Sequence, residues 1–299
     1  MKKSSKLFSK KIDLKLKDKL KKDLSDQGFE FFTTKYSIFS AKKDRITCTL
    51  YHSGMLVVQG KDKDNFIEFY LEPQILKSFE YTHPELYTDM TPRIGVDEAG
   101  KGDFFGPLCI ASLYTDDVGI KKLISLGIKD SKKLTDNSIL NISKKLRKDF
   151  QYSFVTIYPE KYNNLYKKFK NLNLLLGWAH SLAIYNLFQK TSCKNVIIDQ
   201  FAKKSIVSSF ISKKNLKIDL RQEHKAESDI VVAAASIIAR SLFLEGLAKL
   251  SEKINYKLPK GASSKVIDSG VFLVNKHGKD ILNKISKIHF KTYQEILKN

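Results

Sequence analysis

The sequence predicts an α/β protein, with a mixed sheet flanked by helices, preceded by a smaller α+β domain. Two observations carry this prediction. Between residues 29 and 59, short runs rich in β-branched and aromatic residues follow one another around a turn at Ser53-Gly54, which is typical of an antiparallel meander. From residue 93 onward, strand-like runs alternate with helical ones, which is typical of a sheet with helices on its faces. The length of 299 residues fits two domains.

The first domain is predicted over residues 1–80. Apolar residues recur at every fourth position from Ile12 to Leu24, which predicts a helix with one apolar stripe. The remaining predicted elements are strands at 29–34, 36–40, 46–52 and 55–59, and a helix at 65–79. Residues 81–92 hold two prolines and no periodicity, so they are predicted to be a linker.

The second domain is predicted over residues 93–299. Its predicted strands are 93–96, 108–114, 152–158, 195–199 and 216–220. Its predicted helices are 117–126, 136–148, 160–169, 173–191, 203–213 and 227–253, with further helices within 278–298.

Charge points to the partner. The chain has 53 Lys and Arg against 32 Asp and Glu, a net charge of +21. Such an excess favours a polyanion, nucleic acid ahead of a membrane surface. A hydrophobic content of 42% excludes a disordered basic tail. The longest apolar run, Ile230 to Ala239, is too short to span a bilayer.

Cysteine usage and the N-terminus indicate the compartment. The three cysteines show no CxxC spacing, which argues against a disulfide scaffold or a zinc ribbon and favours a reducing environment. The first residues are basic but lack the apolar segment of a secretory signal. We therefore expect a cytoplasmic protein.

The most informative stretch begins with two acids after a strand. Asp97 and Glu98 directly follow the apolar residues Ile94 and Val96. A surface turn is the ordinary explanation of such a pair, but buried carboxylates are costly unless they are paired or bound to metal. The segment Gly100-Lys101-Gly102 follows, a glycine loop whose backbone amides can approach a phosphate or a sugar closely.

Two further acids belong to the same pattern. Asp199 ends a run of three β-branched residues, which predicts a buried strand with an acid at its carboxyl end. Glu227 and Asp229 open a long apolar helix. Capping or the helix dipole also explains acids at these positions. If the strands are neighbours, the carboxylates converge, and hard cations such as Mg²⁺ take carboxylate ligands.

Several motifs in order resemble one family. They are residues 95–107 (GVDEAGKGDFFGP), Asp130-Ser131-Lys132, residues 198–201 (IDQF), residues 225–227 (KAE) and residues 233–239 (AAASIIA). Together they resemble the type 2 ribonuclease H family, in particular its ribonuclease HIII branch. Residues 49–60 (TLYHSGMLVVQG) also resemble the N-terminal domain of that branch, a fold similar to TATA-binding protein.

The resemblance implies a ribonuclease H-like fold and an endonuclease that hydrolyses the RNA strand of RNA–DNA hybrids, leaving 3′-hydroxyl and 5′-phosphate ends. It implies two Mg²⁺ or Mn²⁺ ions held by Asp97, Glu98, Asp199 and a fourth acid. We choose Glu227 as that acid because it follows the Lys-Ala pair of the family pattern, and Asp229 is the alternative.

The same resemblance implies where substrate is contacted. The expected contacts are Gly100, Lys101, Gly102, Ser131 and Lys132. It further implies that the chain is a monomer. We expect the basic first domain to grip the hybrid and no obligate protein partner to be needed. The lack of a strongly amphipathic apolar face or of a lipidation signal argues against a membrane surface.

The sequence leaves two questions open: the role of His180 and the choice between rival functions. His180 lies in an apolar helical run, where it either faces the site or is a satisfied core histidine. A non-catalytic nucleic-acid-binding protein and a DNA-directed nuclease remain rival interpretations, since one fold supports several functions.

Overall fold

A computed structural model describes residues 7–83, 86–128, 134–199, 204–223 and 226–298, and gives only the backbone of Lys204 and Glu227. The chain divides between Asp89 and Met90 into two compact units. Each unit contains its own five-stranded sheet.

The first unit is an antiparallel sheet with helices. Its strands are β1 (Leu7–Lys11), β2 (Glu30–Phe32), β3 (Ser37–Lys43), β4 (Ile46–Tyr51) and β5 (Met55–Gly60), in the order β1-β5-β4-β3-β2. Its helical elements are a 3-10 turn (Leu14–Leu16), α1 (Lys17–Asp26), α2 (Lys63–Phe66) and a π-helical segment (Ile67–Leu76). The sequence did not predict β1, an edge strand that pairs with β5.

Strand alternation builds the core of this unit. Alternate residues of β3, β4 and β5 are buried on one face of the sheet, among them Phe39, Leu50 and Val58. Leu20 and Leu24 of α1, from the apolar stripe that the sequence shows, pack in the same core.

The end of this unit is fastened by a buried glutamate. Pro73 lies inside the π-helical segment, where its missing N–H and its ring disfavour a regular α-helix. Glu72 is 1% exposed, and its carboxylate accepts hydrogen bonds from the backbone amides of Tyr81 (2.6 Å) and Thr82 (3.2 Å). Residues 81 and 82, which the sequence assigns to a linker, are therefore tied to the first unit.

The second unit confirms the predicted mixed sheet between helices. Its strands are β6 (Arg93–Ala99), β7 (Leu108–Thr115), β8 (Gln151–Ile157), β9 (Asn195–Asp199) and β10 (Asp219–Glu223), in the order β10-β9-β6-β7-β8. The pairs β6–β9 and β9–β10 are parallel, whereas β6–β7 and β7–β8 are antiparallel.

The helices of this unit cover both faces of the sheet. They are α3 (Asp117–Ser125), α4 (Asp136–Asp149), α5 (Pro159–Phe169), α6 (Leu172–Thr191), α7 (Lys204–Ser212), α8 (Ile230–Lys253), α9 (Ser264–His277), α10 (Ile281–Ile285) and α11 (Lys291–Lys298). Ile94 and Val96 of β6 pack on one face with Leu175 and Leu176 of α6. Helix α8 packs on the opposite face.

Gly95 allows α8 to approach the sheet closely. A Cβ atom at Gly95 would lie 2.5 Å from the backbone of Val231 and of Val232, so only glycine fits there without movement. Helix α8 is long and apolar enough to cross a membrane by composition, but 72% of its most apolar stretch is buried inside this unit. It is a core helix.

In the second unit, three elements differ from the sequence prediction. Strand β6 continues through Asp97 and Glu98, so these acids lie within the strand and not after it. The strand predicted at 216–220 is β10, three residues later, because its register is set by pairing with β9. Helix α9 was not predicted, since Ser269-Gly270 interrupts its pattern.

Candidate active site

Two acids lie side by side at the carboxyl ends of neighbouring strands. In the parallel pair β6–β9, Gly95 is level with Ile197 and Val96 with Ile198. The next residues are Asp97 and Asp199, so the register places both carboxylates at the same edge of the sheet. This edge is where sites gather in sheets of this kind.

Asp97 and Asp199 also share one face of the sheet. Gly95 lies against the backbone of α8, and Ile197 packs with Ala226 and Val232 on that side. Because side chains alternate along a strand, Asp97 and Asp199, two residues further on, point to the same face.

The start of α8 brings a third acid to this edge. The backbone amide of Ala226 donates to Asp199 Oδ1 at 3.0 Å. Ala226 opens the 3-10 turn Ala226–Ser228, so this bond fixes the backbone of Glu227 beside Asp199. The Glu227 side chain lies outside the described atoms.

Asp229, the alternative fourth acid, is occupied by structural contacts. Its Oδ1 accepts the amides of Val231 (2.8 Å) and Val232 (3.1 Å), which caps α8. Its Oδ2 accepts a hydrogen bond from Arg93 Nε at 2.8 Å and lies 2.8 Å from Arg93 Nη2, with which it forms an ion pair. The Arg93 side chain is 1% exposed. The carboxylate of Asp229 therefore joins the first residue of β6 to the N-terminus of α8.

Glu98 points to the opposite face, as alternation requires. Its Oε2 lies 3.1 Å from Nε2 of His180, a fully buried residue of α6, and its Oε1 lies 3.5 Å from Lys101 Nζ. Burial by itself raises the pKa of Glu98, but the bond to His180 and the charge of Lys101 together hold it below its usual value. His180 is thus a core histidine that also contacts the site.

The glycine loop turns tightly beside these acids. Gly100 and Gly106 have positive φ of +85° and +87°, the left-handed region that favours glycine. A Cβ at Gly100 would lie 2.2 Å from the carbonyl oxygen of Pro107. At Gly102, by contrast, a Cβ would meet nothing within 4 Å, so a ligand can approach its backbone.

The remaining predicted substrate contacts are Lys101, Ser131 and Lys132. Ser131 and Lys132 lie outside the described residues. Lys101 is in the glycine loop as predicted, but its ammonium pairs with Glu98. Sequence reasoning missed Arg93 as a site residue. The feature of the sequence that could have identified Arg93 is a basic residue at the start of an otherwise apolar strand.

The donor chemistry of the edge suits a hard divalent cation. Asp97, Glu98, Asp199 and Glu227 offer only carboxylate oxygens, the ligands that Mg²⁺ and Mn²⁺ prefer. Among the side chains that the structure describes, no group of three His, Cys, Asp or Glu is close enough to hold a metal. The Glu227 side chain is not among those described.

The mixed sheet in the order β10-β9-β6-β7-β8, with carboxylates on adjacent strand ends, is the architecture expected of the ribonuclease H-like class. The family profile described as "Ribonuclease HII" matches residues 94–293, and a domain of unknown function (DUF3378) matches residues 8–82. The chain is 50% identical over 286 residues to ribonuclease HIII of Protochlamydia amoebophila, covering 96% of this chain and 95% of that one. It is 49% identical to ribonuclease HIII of Chlamydia abortus, with 93% of each chain covered.

Solved structures agree with these relatives. The crystal structure of Bst-RNase HIII in complex with Mn²⁺ is 26% identical, covers 98% of each chain and has a TM-score of 0.69. That of Aquifex aeolicus RNase H3 is 26% identical, covers 95% of this chain and all of that one, and has a TM-score of 0.57. The chain belongs to the ribonuclease HIII family. It is a ribonuclease H, an endonuclease that acts on the RNA strand of RNA–DNA hybrids.

Proposed function

We propose that the chain cleaves the RNA strand by two-metal-ion hydrolysis at the edge formed by β6 and β9, leaving 3′-hydroxyl and 5′-phosphate ends. The observation that carries this proposal is the register that sets Asp97 beside Asp199, with the Ala226 amide bound to Asp199. Two bound Mg²⁺ or Mn²⁺ ions would supply activation of the attacking water and stabilisation of the leaving oxygen.

The four acids act as ligands and not as nucleophiles. Asp97 and Asp199 present their carboxylates from one face, and Glu227 follows Ala226 at the same edge. Glu98 reaches the site from the other face, where His180 orients its carboxylate. The carboxylate of Asp229 is bound to Arg93 and caps α8. Because Asp229 has these structural contacts, Glu227 is the better candidate for the fourth ligand.

The glycine loop selects RNA. We assign contacts with ribose 2′-hydroxyls to the backbone of Gly100, Lys101 and Gly102, because this hydroxyl is what separates RNA from DNA. The open backbone of Gly102 supports this assignment. The Lys101 ammonium exchanges Glu98 for a substrate phosphate when hybrid binds. Ser131 and Lys132 add phosphate contacts.

The first domain supplies affinity. Residues 1–22 contain ten lysines and two aspartates, and the lysines of α1, among them Lys17 and Lys21, are exposed. Neutralising phosphates with such lysines gives binding that weakens steeply with salt. We assign the chain to the cytoplasm as a monomer without an obligate protein partner. Its three cysteines are free, which fits a reducing compartment.

Cleavage of end-labelled duplexes tests the chemistry. An RNA–DNA hybrid, an all-DNA duplex and DNA with a single ribonucleotide are each incubated with Mg²⁺, Mn²⁺ or chelator. We expect the hybrid to be cut with either metal, to survive in chelator, and to carry 5′-phosphate ends. Asp97→Asn abolishes cutting, whereas Asp117→Asn, an exposed aspartate of α3, leaves it unchanged. Cutting in chelator, or equal cutting of the all-DNA duplex, refutes the proposal.

Salt-dependent kinetics test the role of the first domain. Replacing Lys17 and Lys21 with Gln removes two exposed charges from α1. We expect the KM for hybrid to rise several-fold at low salt with an unchanged kcat, and a shallower dependence of KM on salt. A fall in kcat at constant KM contradicts the assignment.

A further inference from the structure

Lys287 is a buried lysine that the proposed chemistry does not use. Its side chain is 0% exposed, and it lies in the segment between α10 and α11. Its ammonium donates to two backbone carbonyls, those of Asp103 (2.8 Å) and Gly106 (2.7 Å). Both carbonyls belong to residues 103–106, the turn that follows the glycine loop, and residues 100–106 together are called the substrate loop below. One side chain therefore bridges the two ends of this turn.

Backbone bonds place Lys287 against this turn. The amide of Lys287 donates to the carbonyl of Phe104 (2.9 Å), and the amide of Gly106 donates to Ile285 (3.0 Å). A second support comes from Gly261. Its carbonyl accepts the amide of Phe104 (2.9 Å), and its own amide donates to Asp103 Oδ1 (2.7 Å). The substrate loop is thus held by hydrogen bonds to segments more than 150 residues further along the chain.

Burying the ammonium group of Lys287 costs free energy, because the charge is removed from water. Lys287 contacts Asp103 through a backbone carbonyl and lies with its Nζ 5.8 Å from the centre of the Tyr162 ring. Burial lowers the pKa of Lys287 to about 7. An apolar side chain of similar length fills the same volume without this cost. What the lysine adds is the pair of hydrogen bonds, which fix where the carbonyls of the turn point.

We propose that Lys287 is a positioning residue for the substrate loop: its two bonds set the backbone course of residues 100–106 and thereby the selection of hybrid over DNA. This inference rests on the proposed contact between the glycine loop and the ribose hydroxyls. Lys287 touches neither substrate nor metal, and acts through the loop alone.

The test compares Lys287→Met with Lys284→Met. Methionine keeps the length and apolar stem of the lysine but has no donor. Lys284 is an exposed lysine of α10, so its variant controls for the lost charge. We expect Lys287→Met to raise the KM for hybrid about tenfold, equivalent to about 1.4 kcal/mol, with a smaller change in kcat and in the Mn²⁺ dissociation constant. Lys287→Gln, which retains an N–H₂ donor, recovers part of the loss.

A second readout separates this inference from the proposed function. Hydrogen exchange without substrate is followed in peptides that contain residues 103–106. We expect faster exchange in Lys287→Met and unchanged exchange in Lys284→Met. Faster exchange with an unchanged KM refutes the selection role, and exchange unchanged in both variants refutes the positioning itself. If Lys287→Met does not fold, Lys287→Gln carries the same comparison. A wild-type chain that leaves hybrid uncut refutes the proposed function, whatever the exchange shows.

Discussion

Asp229→Asn and Glu227→Gln are expected to have opposite effects on stability and activity. Asparagine is as good an N-cap as aspartate, so the bonds to the amides of Val231 and Val232 survive in the first variant. What is lost is the charge that faces Arg93, whose guanidinium is 1% exposed. A buried ion pair that loses one partner leaves the other uncompensated, at a cost of about 3 kcal/mol.

This cost predicts a clear shift in thermal unfolding. At about 2–4 °C per kcal/mol for a unit of this size, Asp229→Asn is expected to lower the Tm by roughly 6–12 °C. At 25 °C the remaining stability keeps the chain folded, and hybrid cleavage falls by no more than about threefold.

Glu227→Gln is expected to show the converse. Its unfolding free energy is expected to change by less than about 0.5 kcal/mol, because in the proposed site this carboxylate binds metal and does not support the fold. Its cleavage rate is expected to fall by more than about 100-fold. Losing a metal ligand reduces activity more than losing a residue that only hydrogen-bonds to a ligand. Thermal unfolding by circular dichroism and cleavage of a labelled hybrid measure both variants. The reasoning is refuted if Asp229→Asn abolishes cleavage at unchanged Tm.

Three further predictions concern stability. As the pH rises from 7 to 10, the unfolding free energy of the wild-type chain is expected to increase relative to that of Lys287→Met by up to about 1.4 kcal/mol per pH unit. The reason is that above the lowered pKa of Lys287, about 7, the folded state binds fewer protons than the unfolded state. Urea unfolding across this range measures the difference, and a difference that does not change with pH contradicts the prediction. His180→Phe lowers the unfolding free energy by about 1–3 kcal/mol in chelator, because the buried Glu98 loses a partner; equal urea midpoints contradict this. Gly95→Ala is expected to lower the unfolding free energy by more than about 1 kcal/mol, because the added methyl group overpacks against α8. Gly102→Ala, in open space, leaves the unfolding free energy nearly unchanged in the same urea assay and raises the KM for hybrid. Equal losses of unfolding free energy for the two variants contradict the packing argument.

The sequence predicts elements best where local pattern and tertiary packing agree. Strand β9 was predicted to the residue, because three β-branched residues in a row mark a strand covered on both faces. Strand β1 was missed because it is an edge strand with alternating exposure and no buried face of its own. The displacement of β10 has a similar cause, since its position depends on its partner β9 and not on its own apolar residues.

The sequence singles out the acids of the candidate site but does not give the directions of their side chains. Asp97, Glu98 and Asp199 stand out as acids that end apolar strands. Asp97 and Glu98 are consecutive residues of β6, so their side chains leave opposite faces of the strand, a detail that appears only once the strand is known to continue through them. Arg93 and Lys287 were missed because their partners lie 136 and 184 residues away, a separation that no local pattern reveals.

This wide separation has a consequence for synthesis of the protein on the ribosome. The acidic edge draws on β6, on β9 about a hundred residues later, and on the turn that precedes α8. The loop that faces it is completed only by the last segment, through Ile285 and Lys287. All four acids are therefore synthesised well before the segment whose hydrogen bonds hold residues 103–106 in place.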